Sequence, residues 1–312
     1  MLRRRLPTPA TAKSVAGAIL KGFLGGLVYV VVTIASGMLL AALHVNVPNL
    51  SPPGVSQAQA FLSFAIASSL LGVALMPLAV GLSGGRLSRG LALAILPFVC
   101  LGVNATIEIL IFTIYLTRHT APPFIASSVL PTLALGTTLA IPRLQDSEPL
   151  SFRQYARNWF SMHTAGSWVG RFALAILAFP VIYFFFGAMV TPFVLPAYRA
   201  GIAGLILPPL SVIMPVQILR STLFLLGSLP CLILWRGRRG SLIFALGLAH
   251  WFLVGAFGLM QASFLPPVLR IAHSIEIGAD SFAYAAVLVM LLMPHPQTSP
   301  ACIRSTAPMF PS

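Results

Sequence analysis

Long runs of apolar residues, separated by short polar or proline-rich connections, occupy the chain from Gly17 to Met293. A membrane-crossing helix needs roughly 20 such residues. Eight stretches reach or approach that length: 17–43, 60–82, 90–116, 124–141, 171–191, 220–235, 241–262 and 268–293. The pattern predicts an all-α fold, a polytopic transmembrane helix bundle of about eight spans. The fourth and sixth stretches are short and carry Pro131 and Pro230. Intramembrane prolines are tolerated where neighbouring helices satisfy the freed carbonyls.

The connections divide the chain into a basic N-terminus (1–16), a first four-span half (17–141), a linker (142–170), a second four-span half (171–293) and a tail (294–312). Residues 44–59 read as an uncharged Pro/Ser loop. The linker mixes charge with Phe152, Tyr155, Trp159, Phe160 and Trp168, which suits a helix lying in the headgroup layer. Residues 192–219 are apolar but interrupted by Pro208-Pro209 and Pro215, and read as an outer connection that dips into the membrane or covers the bundle. Gly22 and Gly26 offer a face for close helix approach.

The two halves show the same order of features. Each second span opens near glutamine (Gln57 or Gln59; Gln217) and holds a glycine, then a proline (Gly72, Pro77; Gly227, Pro230). Each then closes on a Gly/Arg hairpin, at 81–90 and 235–240, and each third span leads to a double proline, Pro122-Pro123 and Pro266-Pro267. A duplication of this kind gives two parallel four-span repeats related by an axis along the membrane normal. Such turns also recur in unrelated helical membrane proteins, so the pattern alone leaves both readings open.

Composition removes the soluble alternative. Of 312 residues, 58% are apolar and 8% charged, against ~25% charged in average soluble domains, and the mean hydropathy is +0.94. The net charge of +14 lies in clusters between apolar runs, where topology determinants and contacts to anionic lipid belong; nucleic acid is not an expected partner. With the N-terminus inside, fifteen Lys and Arg fall on the cytoplasmic side, and Arg118, Arg199, Arg220 and Arg270 on the other. That asymmetry places both termini in the cytoplasm. The apolar run after Lys13 is too long for a cleavable signal peptide. Cys100, Cys231 and Cys302 are far apart and show no metal spacing. Seventeen Arg against two Lys, with abundant Ala, Leu and Pro, suggests a GC-rich genome and hence a bacterial plasma (inner) membrane.

Candidate chemistry concentrates in the five acidic residues. Asp146 and Glu148 lie in the linker; Glu108, Glu276 and Asp280 lie within spans. A charge near the bilayer centre costs at least ~2.5–3.5 kcal/mol on insertion scales. On the last span Arg270, His273, Glu276, Asp280 and Tyr284 fall within about 120° of the helix circumference. Glu276–Asp280 and Asp280–Tyr284 are i,i+4 neighbours, and His273 sits one turn from Glu276. Two carboxylates that close in low dielectric do not both ionise easily, so they are expected to share a proton. Asn104 lies one turn from Glu108, and Glu108 and Glu276 are expected roughly 12–14 Å below the outer boundary. Together with His250 these residues form the candidate intramembrane polar site.

Three readings follow. The first is a transporter or permease in which the acidic cluster couples to a proton, cation or small molecule. The second is a scaffold, assembly or sensor protein whose polar stripe joins helices, with Arg270 pairing to Glu276. The third is an intramembrane metal-dependent hydrolase using His250, His273, Glu276, Asp280 and Glu108. Neither H-E-x-x-H nor G-x-S-x-G is present, and no cofactor is expected.

Overall fold

In lipid, backbone amides have no water to bond, so an apolar chain of this length satisfies them within helices. The computed structural model describes residues 12–45, 47, 55–140 and 150–293, and among these it is helical without strands. The basic segment 1–11, most of the loop 46–54, Asp146 and Glu148, and the tail from 294 with Cys302 lie outside the described residues.

Among the described residues, seven helices are long and apolar enough to cross a membrane, which makes the chain a multi-pass membrane protein. They are α1 (Ala12–Ala42), α2 (Gln57–Gly81), the composite Arg86–Phe112, α8 (Ala165–Arg199), α9 (Leu210–Leu234), the composite Arg239–Gln261, and α12 (Pro267–Leu292). The first composite is α3 (Arg86–Pro97), a π-helix at Phe98–Asn104, and α4 (Ala105–Phe112). The second is α10 (Arg239–Trp251), a π-helix at Phe252–Ala256, and α11 (Phe257–Gln261).

Two expectations require correction. The stretch 124–141 is not one long helix but α5 (Ala121–Ser127) and α6 (Val129–Leu139), joined at Ser128. Pro131 has no N–H to give to the Ser127 carbonyl one turn back, and α6 takes up its ladder at Thr132, whose N–H and Oγ both bond the Ser128 carbonyl. Segment 192–219 is mostly helix rather than a broken connection. α8 runs through Pro180, Pro192 and Pro196, and α9 starts directly after Pro209 and runs through Pro215. Pro208-Pro209 therefore ends a ten-residue turn, 200–209, instead of interrupting a long loop.

Between residues 150 and 164 the linker forms α7 (Phe152–Phe160), capped by a reciprocal Ser151–Gln154 box. Its Tyr155 and Trp159 are buried; Trp159 stacks on Trp168 of α8 at 4.1 Å, and Arg236 lies over the Tyr155 ring at 4.7 Å. α8 buries only 17% of its most apolar window, so it stands at the periphery with side chains such as Val181 and Phe185 exposed.

α1 packs on α2, α8 on α9, α3 on α6 and α10 on α12; α1 also meets α6 as α8 meets α12, and α2 meets α10 as α3 meets α9. Small residues permit the closest of these approaches: a Cβ on Gly72 would overlap the Gly22 carbonyl, and one on Gly136 the Gly90 carbonyl. Two isolated antiparallel bridges cross the molecule. Leu82 pairs with Trp235 between the Gly/Arg hairpins, and Thr113 pairs with Leu205 at the opposite end. We call the hairpin end the basic end and the other the far end. Cys100 and Cys231 are buried free thiols in the core between them.

Candidate functional site

Five helices, α4, α8, α9, α10 and α12, place polar side chains on a common interior cavity. α9 carries Gln217, Arg220, Ser221 and Ser228 at helical spacing, all at 3% exposure or less. Arg220 donates from Nε to Asn104 Oδ1 (2.8 Å), from one terminal nitrogen to Gln217 Oε1 (3.3 Å) and from the other to Glu108 Oε2 (3.1 Å). Both amides turn their oxygens to the guanidinium, leaving their NH2 groups buried without a partner. The aromatic rings of Phe179 and Phe224 lie 6.0 and 5.8 Å from the guanidinium carbon.

The π-helix in the third crossing matters here. Asn104 is its last residue, and a π-turn widens the helix so that the following register is offset. Asn104 and Glu108 thus meet one guanidinium together. α4 ends at Phe112, so Glu108 lies a single turn from the helix end and its side chain is 35% exposed. Thr113 then turns extended to bridge Leu205, so α4 ends soon after Glu108, whereas Glu276 lies well inside α12.

On α12, His273 Nδ1 lies 2.8 Å from Glu276 Oε2, and Tyr198 of α8 approaches His273 Nε2 at 3.5 Å. Gly187 of α8 leaves room for Glu276: a Cβ there would stand 3.3 Å from Oε1. Asp280 is 6% exposed, and its Oδ1 has no hydrogen-bond partner among the described residues. Tyr284 does not bond Asp280 as its i,i+4 spacing suggested. Its hydroxyl goes to Ser221, contacting Oγ and the carbonyl at 3.2 Å. His250 Nε2 lies 2.9 Å from Ser228 Oγ. Arg270 forms no ion pair with Glu276, whose partner is His273; it does not reach the cavity.

Glu108, Arg220, His250, His273, Glu276, Asp280 and Tyr284 line one cavity of about 50 Å³, enough for a few waters. Asn104 stands behind Arg220. Sequence reasoning placed Arg220 on the outer surface and missed Tyr198 and Tyr183, which also line the cavity. The Gln217–Arg220–Ser221–Ser228 stripe was the available signal for Arg220. Among the described residues no three of His, Cys, Asp and Glu are arranged to hold a metal ion.

No protein-family model matches the chain, and no curated protein or solved structure matches it either.

Proposed function

We propose that the chain is a permease-type membrane carrier in which the interior cavity takes up a proton or small cation. One observation carries this reading: Asp280, buried in a water-sized cavity, has a carboxylate oxygen with no partner. Three carboxylates (Glu108, Glu276, Asp280) share that cavity with the single guanidinium of Arg220. With all three ionised and the histidines neutral the formal balance would be three negative against one positive, and a proton shared by Glu276 and Asp280 reduces it to two against one. Low dielectric makes that excess costly, and positive charge arriving from water relieves it. His273, held between Glu276 and Tyr198, is suited to pass a proton along the cavity wall. The cavity's size favours an ion or proton over an organic molecule unless α8 moves.

The rest of the architecture supports this reading. The matching neighbour pairs of α1–α6 and α8–α12, the two π-helices in the third crossing of each half, and the pairing of the two hairpins fit parallel four-span repeats. With α5 and α6 together making one crossing, the repeats give eight. The basic end carries Arg86, Arg89, Arg153, Arg157, Arg171, Arg236, Arg238 and Arg239, which favours a cytoplasmic face against anionic lipid, both termini inside, in a bacterial plasma membrane.

Proton flux into liposomes tests the proposal, comparing wild type with Glu276→Gln and Asp280→Asn. Loss of flux in both, with unchanged thermal unfolding, is the expected result. Flux at the wild-type rate in both variants overturns it. A second reading, scaffold or sensor protein, is favoured by the Arg220 cluster, which ties α4 to α9 as interhelical glue does. Unfolding of both α12 variants would select it. The hydrolase reading has no observation in its favour.

A further inference from the structure

A second cavity, of about 520 Å³, lies toward the far end, between α1, α2, α4 and α5 of the first half and α11 of the second. Its volume is in the range of small-molecule sites, ~300–1,000 Å³, and its chemistry is opposite to that of the polar cavity. Tyr29, Phe64 and Phe257 pack edge to face or tilted against one another, with ring centroids 6.1–6.2 Å apart. Among the described residues no Asp, Glu, Lys, Arg or His lines it.

Apart from that of Tyr29, the hydroxyls that line it are already engaged. Thr33, Ser63, Thr113, Ser127 and Ser128 each donate to a carbonyl of their own helix. Gln261 does the same through Nε2, and Tyr115 donates to the Ala203 carbonyl. A wall whose donors are satisfied internally offers an occupant contact area but few hydrogen bonds. The helix break at Ser128 faces this space, as does Pro131. Non-helical backbone at membrane depth persists only where protein covers it or a cavity adjoins it. On the opposite wall Gly258 meets nothing within 4 Å at its Cβ position, so the space there is open.

We propose that this cavity binds a single hydrocarbon chain, the acyl or prenyl chain of a lipid. Large cavities lined by apolar groups do not hold water well and take apolar guests. The occupant would share a wall with the polar site, since Val254 lines both cavities.

The test uses the full-length protein in phosphatidylcholine vesicles. A diazirine-bearing palmitic acid is supplied either free or as an acyl chain of phosphatidylcholine, and adducts are mapped by mass spectrometry after photolysis. Expected are adducts on Phe64, Ile109 and Phe257 that unlabelled palmitic chains compete away. They should be lost in Gly258→Phe, whose ring fills the space. The arm that labels identifies the source, free acid or bilayer lipid. Adducts confined to lipid-facing side chains such as Val31 and Val181, or interior adducts that neither compete nor diminish in Gly258→Phe, overturn the proposal. Competition by unlabelled chain does not depend on any variant folding. Proton flux plays no part in the readout, so this proposal and the carrier reading fail separately.

Discussion

Arg220 is held by three acceptors at once, two from the Arg86–Phe112 crossing and one from its own preceding turn. Removing one member of a buried ion pair leaves the other charge uncompensated. Arg220→Met should therefore lower unfolding stability in detergent by about 3 kcal/mol, the low end for buried pairs, because Glu108 is partly exposed. Adding Glu108→Gln should restore part of that loss, a coupling measurable as a double-mutant cycle. Arg220→Lys should stay destabilised, since an ammonium cannot reach Asn104 and Glu108 in the forked geometry of a guanidinium. The importance of the acids was legible in the sequence, because charge in an apolar run is costly wherever it points. The identity of their partner was not. Arg220 stands eleven residues after Pro209, and three nearby prolines (208, 209 and 215) make that segment read as loop. Tyr284 shows the same limit: helical spacing offered it Asp280, but the neighbouring α9 presented Ser221.

Among the elements, the π-helix at Phe98–Asn104 sets the rotation of α4. Inserting one alanine after Ala105, in the regular α-helix that follows, would turn Glu108 by about 100° relative to the preceding helix. The expected outcome is loss of the Arg220–Glu108 pair and of proton flux, read by liposome assay alongside thermal unfolding. At the α1–α2 contact, Gly72→Leu should abolish folded yield, whereas Gly17→Ala, with open space at its Cβ, should leave it unchanged. Helix existence and approximate position followed from hydropathy alone for most crossings. Helix ends did not. The span read as ending at 191 continues through Pro192 and Pro196 to Arg199, and Pro215, read as an interruption, is accommodated within α9. The π-helices carry no periodicity signal in a run that is apolar on every side.

For the molecule as a whole, side assignment is the next quantity to measure. Reporter fusions inserted after Arg118 and at residue 207 should report the periplasmic side, and a fusion after Met293 the cytoplasmic side. A cytoplasmic signal at 207 would invert the eight-crossing arrangement. The two backbone bridges bear on how the proposed carrier would cycle. At the basic end, Ser83 bonds the Leu234 carbonyl and Arg236 the Gly81 carbonyl; at the far end, Ile114 bonds Gly204 and Ile206 bonds Phe112. If the halves rock to expose the cavity alternately, each half-cycle must undo one of these latches while the other stays shut. Residues opposed across an antiparallel bridge stand about 4.5–5.5 Å apart at Cα, within disulfide reach. A Thr113→Cys, Leu205→Cys pair should thus lock the far-end latch when oxidised and arrest flux, and reductant should release it. Persistent flux in the oxidised protein would mean that ions pass without the halves parting, by side-chain motion alone.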